Sequence, residues 1–518
     1  MNALALVCTA AMSLVAACSG APVARGPEAP VEIVDPGAQP VIDAWAHAIG
    51  GRERVGKLGA IHVRGAYAKG GLTGTIDLWE TARGQRREEL TLGFLREVRV
   101  FDGTRGWLVD RNGEVRELDG FELDDQRALA FRDLVPWFLA EHRRGAIAMA
   151  KDRVLLSPDG GHRPEIVRFD AEHRPVEIVR RDGEKLRSTK LEDWSEVAGV
   201  AVPTHLHEDN GDPNDAVDVR LASIERGTPP AFTRPAERAP DMAGTASVPI
   251  DLAFGGLVFV DVTVNGVPMA FVLDTGAEST VLNASRLPAL GLHATGTFAA
   301  GAGGGDVTVG YVPHVTYSVG GATIRDQIVS AIDLDGLEKP LGRKLDGILG
   351  YDFLSRFVVE LDYPRKQLRL RDRATYRHGP GTPLPITIED STPFVDAQLE
   401  LPRMKPLPGH FTLDTGCLCE VEVSSPFTDE HELLLAVPDA RNAGFSAGAG
   451  GETHQVSATI TALTVGGQRI DKPVADFSRD KTGATADPES AGLIGSIVWR
   501  RFVLVLDYKH KQVWLDSP

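Results

Sequence analysis

Two aspartates stand in the same local setting. Asp274 follows an apolar run in FVLDTG (271–276) and Asp414 does so in FTLDTG (411–416), each with Thr and Gly next. Carboxylates that come together can act as base and acid in one hydrolysis. The second stretch adds Cys417 and Cys419, two of the four cysteines in the chain. Locally, FTLDTGCLCE could be a strand end carrying a catalytic carboxylate, a metal or redox site built on C-x-C, or simply a turn.

The surrounding elements decide between these, because they repeat. AGAGG at 300–304 returns at 447–451, and SVGGATI at 318–324 returns as TVGGQRI at 464–470. GILGYDFLSRFVVELDYPRKQLRL (347–370) returns as GLIGSIVWRRFVLVLDYKHKQVWL (492–515). Order is kept and spacing is close: 46 residues separate Asp274 from Gly320, and 52 separate Asp414 from Gly466. A chance DTG is unremarkable, but two DTGs leading the same series of segments indicate a duplicated β domain.

From about 250 to 518 these segments resemble the pepsin-like and retropepsin-like aspartic peptidases, particularly bacterial single-lobe relatives. The shared pattern is an apolar strand into D-T-G, a glycine-rich flap, then apolar-apolar-Gly, here Ile348-Leu349-Gly350 and Leu493-Ile494-Gly495. The resemblance implies that each lobe gives one aspartate to a shared site, so Asp274 and Asp414 form the dyad with a water between them. Thr275 and Thr415 would cross-link the two loops, while Gly276 and Gly416 permit the tight turn. Two carboxyls held close cannot both ionise easily, so they share a proton and offer an acid and a base at one pH. The flap positions would be Gly301, Gly303 and Gly304 in the first lobe and Gly448, Gly450 and Gly451 in the second. There they would close over substrate and exclude water.

The second lobe departs from the pattern: DTGAEST in lobe one becomes DTGCLCE, with Cys417 at the Ala277 position and Glu420 at the Thr280 position. A carboxylate near the dyad would raise the dyad's pKa. If the chain is extended here, Cys417 and Cys419 are too far apart for a disulfide and are expected as free, buried thiols.

Other motifs carry less. GFSAG (444–448) matches a nucleophile elbow formally, but an alternating, strand-like sequence follows it, not a helix. GAGGGD (301–306) lacks the helix and Lys of a phosphate loop. His205 and His207 share one face of a candidate strand without a third ligand. No metal or organic cofactor is expected.

At 518 residues the chain exceeds one core, and its net charge of −17 excludes the basic face that nucleic acid requires. Residues 3–17 are an apolar run too short to span a bilayer, ending in Val15-Ala16-Ala17-Cys18. This resembles the lipobox of bacterial lipoproteins and implies export, lipidation of Cys18 and a membrane anchor in the cell envelope, at the outer membrane.

The expected organisation is a signal (1–18), a Pro-rich tether (19–40), a β-rich domain (41–225), a linker (226–246) and two peptidase lobes (247–375 and 376–518). In the β-rich block, alternating runs separated by turn signals at Arg111-Asn112-Gly113 and Arg181-Asp182-Gly183 read as antiparallel sheet. With FDGTRGW and KLEDWSEVAGVAVPTHL, the block loosely resembles the curved-sheet, half-barrel domains of bacterial lipoprotein-sorting proteins. It is expected to fold by itself, with the linker as the first site of proteolysis. The fold class is thus mainly β: a curved antiparallel sheet with a few helices, then two retropepsin-like lobes. The function expected is a monomeric aspartic endopeptidase acting on peptides or proteins; the alternative is an inactive envelope lipoprotein that binds peptides between its lobes.

Overall fold

A computed structural model describes residues 32–518 except 82, 133–144, 152, 159–163, 183–184, 239–240 and 303–304. The signal, Cys18 and most of the tether lie outside the described residues, as do Gly303 and Gly304. The protein is mainly β.

The N-terminal part is one sheet of 14 strands. Its neighbours are antiparallel, except that Glu32–Val34 runs parallel to Gly145–Ala150. Alternation sets one face apolar, as in Ala60–Lys69, where Ile61 and Val63 are buried. That face packs against the Gln39–Ala48 helix, whose Ile42, Trp45 and Ala46 are buried at one-turn spacing. Another helix, Gly120–Arg132, leaves the sheet towards the two repeated lobes, where Phe121 N donates to Glu389 Oε2 (3.2 Å).

The two lobes repeat one pattern of pairings. Val267–Leu273 runs parallel to Gly347–Leu349, and Leu407–Leu413 runs parallel to Gly492–Ile494. Val281–Asn283 lies between Gly347–Leu349 and Ala322–Ile332, as Val421–Val423 lies between Gly492–Ile494 and Val474–Ser478. Lobe one carries its flap return on one long strand, Gly305–Val319, which lobe two splits into Gly451–Thr459 and Ala462–Val465.

A six-stranded sheet joins the lobes, with Phe357–Asp362 antiparallel to Val503–Asp507 at its centre. The repeat offset in this segment is 145 residues (347 to 492, 360 to 505), and Glu360 pairs with Val505, its own counterpart. A pseudo-twofold axis therefore passes through that pair, which is why the two aspartates can meet. One continuous apolar core, including Phe271, Phe353, Phe411 and Trp499, spans both lobes.

The Pro-rich stretch after Arg226 is fastened to both parts. Phe232 packs on Val98 and Trp107, Arg238 N donates to Gly113 O (3.1 Å), and Arg325 N donates to Asp241 O (2.8 Å). The first flap is also held by the N-terminal sheet. Thr297 N donates to Gly70 O (2.8 Å), Phe298 packs among Leu72, Leu92 and Leu95, and Lys185 Nζ reaches Asp306 Oδ2 at 2.8 Å.

Candidate active site

Each DTG sits where a strand must stop. Asp274 N donates to Leu349 O and Asp414 N donates to Ile494 O, both at 3.0 Å, so the neighbouring strand holds the last backbone position before the loop. The glycine of each apolar-apolar-Gly segment then lets the loop fold down upon it. A side chain at Gly350 would strike the Ser279 carbonyl, and one at Gly495 would strike the Cys419 carbonyl and Sγ.

The threonines form a reciprocal grip. Thr275 Oγ1 donates to Leu413 O (2.6 Å) and accepts from Thr415 N (3.0 Å). Thr415 Oγ1 donates to Leu273 O (3.0 Å) and accepts from Thr275 N (3.1 Å). Both residues are buried, so every one of these groups would otherwise be an orphan away from water. The grip fixes the loops at one separation, and the structure thereby brings Asp274 and Asp414 within hydrogen-bond reach of each other.

Burial first, then the Asp414 charge and the hydrogen bond to it, push Asp274 well above the usual carboxylate range. Burial also raises Asp414, but its Oδ1 accepts from Gly416 N (2.6 Å) and Cys417 N (3.0 Å), and Asp274 donates to it. Both carboxyls are therefore raised, Asp274 the more strongly.

The tips of the two glycine-rich hairpins meet each other. A side chain at Gly450 would run into the carbonyls of Ala302 and Gly305, and one at Gly305 would approach the Gly450 carbonyl to 2.6 Å. Gly301 lies beside Gly483 and Ala484 of the other lobe, while Gly448 and Gly451 end the two strands of the second hairpin. GFSAG belongs to the first strand of that hairpin and is followed by another strand, so no elbow forms.

Two lobe-two departures resolve differently. Glu420 turns away from the dyad: Oε1 pairs with Arg501 and Oε2 accepts from Val474 N (2.7 Å). The expectation of free thiols is overturned, since Cys417 and Cys419 are joined in a disulfide. That expectation assumed extended chain. Instead the loop bends after Asp414, bringing the two Cα atoms to 5.5 Å, inside the range a disulfide accepts. Cys417 O then accepts from Ser496 N (2.9 Å) and Ser496 Oγ (2.7 Å), and Cys419 O accepts from Ile497 N (3.2 Å).

Sequence reasoning missed Glu422. It stands in the fully buried strand Val421–Val423, where lobe one has Leu282, with Oε1 unpartnered among the described residues. Burial, then Asp476 and Asp414, push its carboxyl up to about 8. The signal was available, as a lone Glu between valines where the repeat has Leu. Cys417, Cys419 and Glu422 lie close enough to hold a metal ion in principle, but the disulfide occupies both thiols. His205 bonds Asp218 (2.6 Å) and sits far along the sequence in the N-terminal sheet, so it joins no site with the dyad.

Comparison with protein families matches residues 260–353 to a family described as aspartyl protease. Comparison with curated proteins gives no match. The first lobe is thus an aspartic-peptidase-like region, and a peptidase-like function is supported for the chain. The second lobe lies outside that match and is joined to it by the repeated pairings above.

Proposed function

We propose that the chain is an aspartic endopeptidase that hydrolyses peptide bonds with a water held between Asp274 and Asp414. The observation that carries this is the threonine grip, which fixes the two half-buried carboxyls within reach of each other, a setting in which one shared proton is favoured. Asp414, whose Oδ1 already accepts two amides, acts as the base. It takes a proton from water as the water oxygen bonds to the scissile carbon, and Asp274 gives its proton to the carbonyl oxygen. In the tetrahedral gem-diol, the proton on Asp414 passes to the amide nitrogen, the C–N bond breaks, and Asp274 recovers a proton from a hydroxyl. The paired flaps exclude bulk water while this occurs. Export, and anchoring through a lipidated Cys18, are part of the proposal and rest on residues 3–18 alone.

The test is digestion of a proteome-derived peptide library by the purified chain. Asp274→Asn and Asp414→Asn should each lower kcat/KM by about 10²–10⁴, and the double variant should be little worse than either, because the carboxyls act as a unit. Near-full activity in either single variant refutes the shared site.

A further inference from the structure

A cavity of about 900 Å³ lies against the inner face of the N-terminal sheet and runs to the flap of lobe one. This is at the upper end of the range of small-ligand pockets, about 300–1,000 Å³. Its wall carries an apolar strip of Trp45, Val63, Leu78, Ile178, Trp194 and Leu221, set among charged side chains such as Arg86, Glu88, Arg180 and Glu208. Its mouth is shared with the peptidase lobes: Phe121 and Glu122 from the Gly120–Arg132 helix, Glu278, Ala300 and Gly301 from lobe one, and Asp390 from lobe two. Glu278 is four residues beyond Asp274, so chain length alone keeps it within about 14 Å of the dyad. The mouth of the cavity therefore opens within about 14 Å of the dyad, although neither aspartate lines it.

Two features identify what could fill it. Within the cavity wall, Thr189 is only 3 % exposed, and its Oγ1 has no partner among the described residues. Arg180 Nη1, in the same wall, is likewise unpartnered there. Both are donors, and a hydrocarbon chain would leave them unsatisfied at a cost, whereas an extended peptide carries a carbonyl at every residue. At the mouth, Glu122 is held by both Arg116 nitrogens (2.5 and 2.6 Å). The Glu278 and Asp390 carboxyls make no hydrogen bond or ion pair among the described residues, and Arg111 lies instead over the Tyr311 ring at 4.7 Å. Both carboxyls are exposed, and with Glu122 they make this side of the mouth acidic, the complement of a basic residue.

We propose that the N-terminal cavity is the far part of the substrate site: it takes an apolar arm of the substrate polypeptide, with a basic residue seated at Glu278 and Asp390 between that arm and the scissile bond. This rests on the peptidase reading above and names its substrate class. It also explains why the sheet is fastened to the first flap, since the flap strand forms part of the wall the arm must pass.

The experiment uses the full chain and synthetic peptides that join a Lys beside the scissile bond to a Leu/Val-rich arm, placed on either side. Controls replace the arm by Gly and Ser, or the Lys by Glu. The armed basic peptide should exceed both controls in kcat/KM by roughly tenfold or more, since remote binding energy is used at the reacting bond. Leu78→Trp and Ile178→Trp, each checked for an unchanged melting profile, should remove the advantage of the arm. Glu278→Gln with Asp390→Asn should remove the advantage of the Lys. In the Asp274→Asn chain, a photoreactive arm should label strands between residues 60 and 226, a result that needs no turnover. Equal cleavage of armed and armless peptides, or labels confined to 245–518, overturns this inference and leaves the peptidase reading standing. Lipid extracted in stoichiometric amount from the purified chain overturns it as well. Failure to cleave any peptide counts against the peptidase reading, while labelling still decides where the arm goes.

Discussion

At the scale of single residues, buried carboxyls dominate the chemistry, and Glu422 gives the cleanest pH signature. In the unfolded chain it ionises near the ordinary Glu value of 4.5; in the folded protein it holds its proton to about 8. Folding therefore takes up a proton across that window, and the contribution of Glu422 to stability falls as pH rises from 4.5 to about 8, then levels off. The size is on the order of 4–5 kcal/mol. Glu422→Gln should flatten urea-derived stability over that range and make the protein more stable than wild type above pH 8; an unchanged slope would rule this out. The meeting of Asp274 and Asp414 was legible because DTG names its own residues and occurs twice. The grouping of Glu278 and Asp390 with Glu122 was not, because it joins residues more than a hundred positions apart that share no motif.

Among elements, the two that shape the cleft are the lobe-two loop and the first flap. The disulfide closes a ring of only three residues, so its stabilisation through the unfolded chain is about 1–2 kcal/mol. In protein denatured and alkylated without reductant, the 417–419 peptide should carry no added group; it should take two after reduction. Cys417→Ala with Cys419→Ser should retain hydrolysis, because lobe one holds Asp274 through Gly276 N (2.8 Å) and Ala277 N with no disulfide. The flap depends on a contact outside its own lobe. Phe298→Ala should free it from Leu72, Leu92 and Leu95 and lower kcat/KM by between about 10- and 100-fold, with faster hydrogen exchange over 295–311. Unaltered exchange would mean the sheet does not hold the flap. The repeat made the two glycine-rich hairpins legible, since a duplicated element betrays itself by its copy. Its docking left no such trace, because pairing between unrelated segments produces no period. The bend that joins the cysteines escaped for a similar reason: lobe one was the only guide, and it has Ala277 and Ser279 there.

Across the whole molecule, the sequence suggests separable parts joined by the Pro-rich linker at 226–246, whereas the structure shows them locked by buried charge. Glu114, at the turn between two strands of the N-terminal sheet, is 5 % exposed. It accepts from Ser355 Oγ (2.6 Å) and Arg373 Nη1 (2.6 Å) and pairs with Arg356 Nε at 3.4 Å, all three in lobe one. Arg373 also bonds Glu237 of the Pro-rich linker (2.5 Å), and Asn112 exchanges two hydrogen bonds with the Ile328 backbone (2.8 and 3.0 Å). Nothing local marks Glu114 as different from its neighbour Glu117, so composition could only suggest a linker. The consequence is measurable. Removing one member of a buried ion group leaves the others charged and unpaired, which costs about 3–5 kcal/mol, far more than loss of an exposed pair. Glu114→Ala should therefore lower the melting temperature of the full chain markedly, and Glu117→Ala should change it little. If the locked description is right, heating Glu114→Ala should also split the single transition of wild type into two, one for the sheet and one for the lobes. A Glu114→Ala chain that melts like wild type would restore the picture of independent parts.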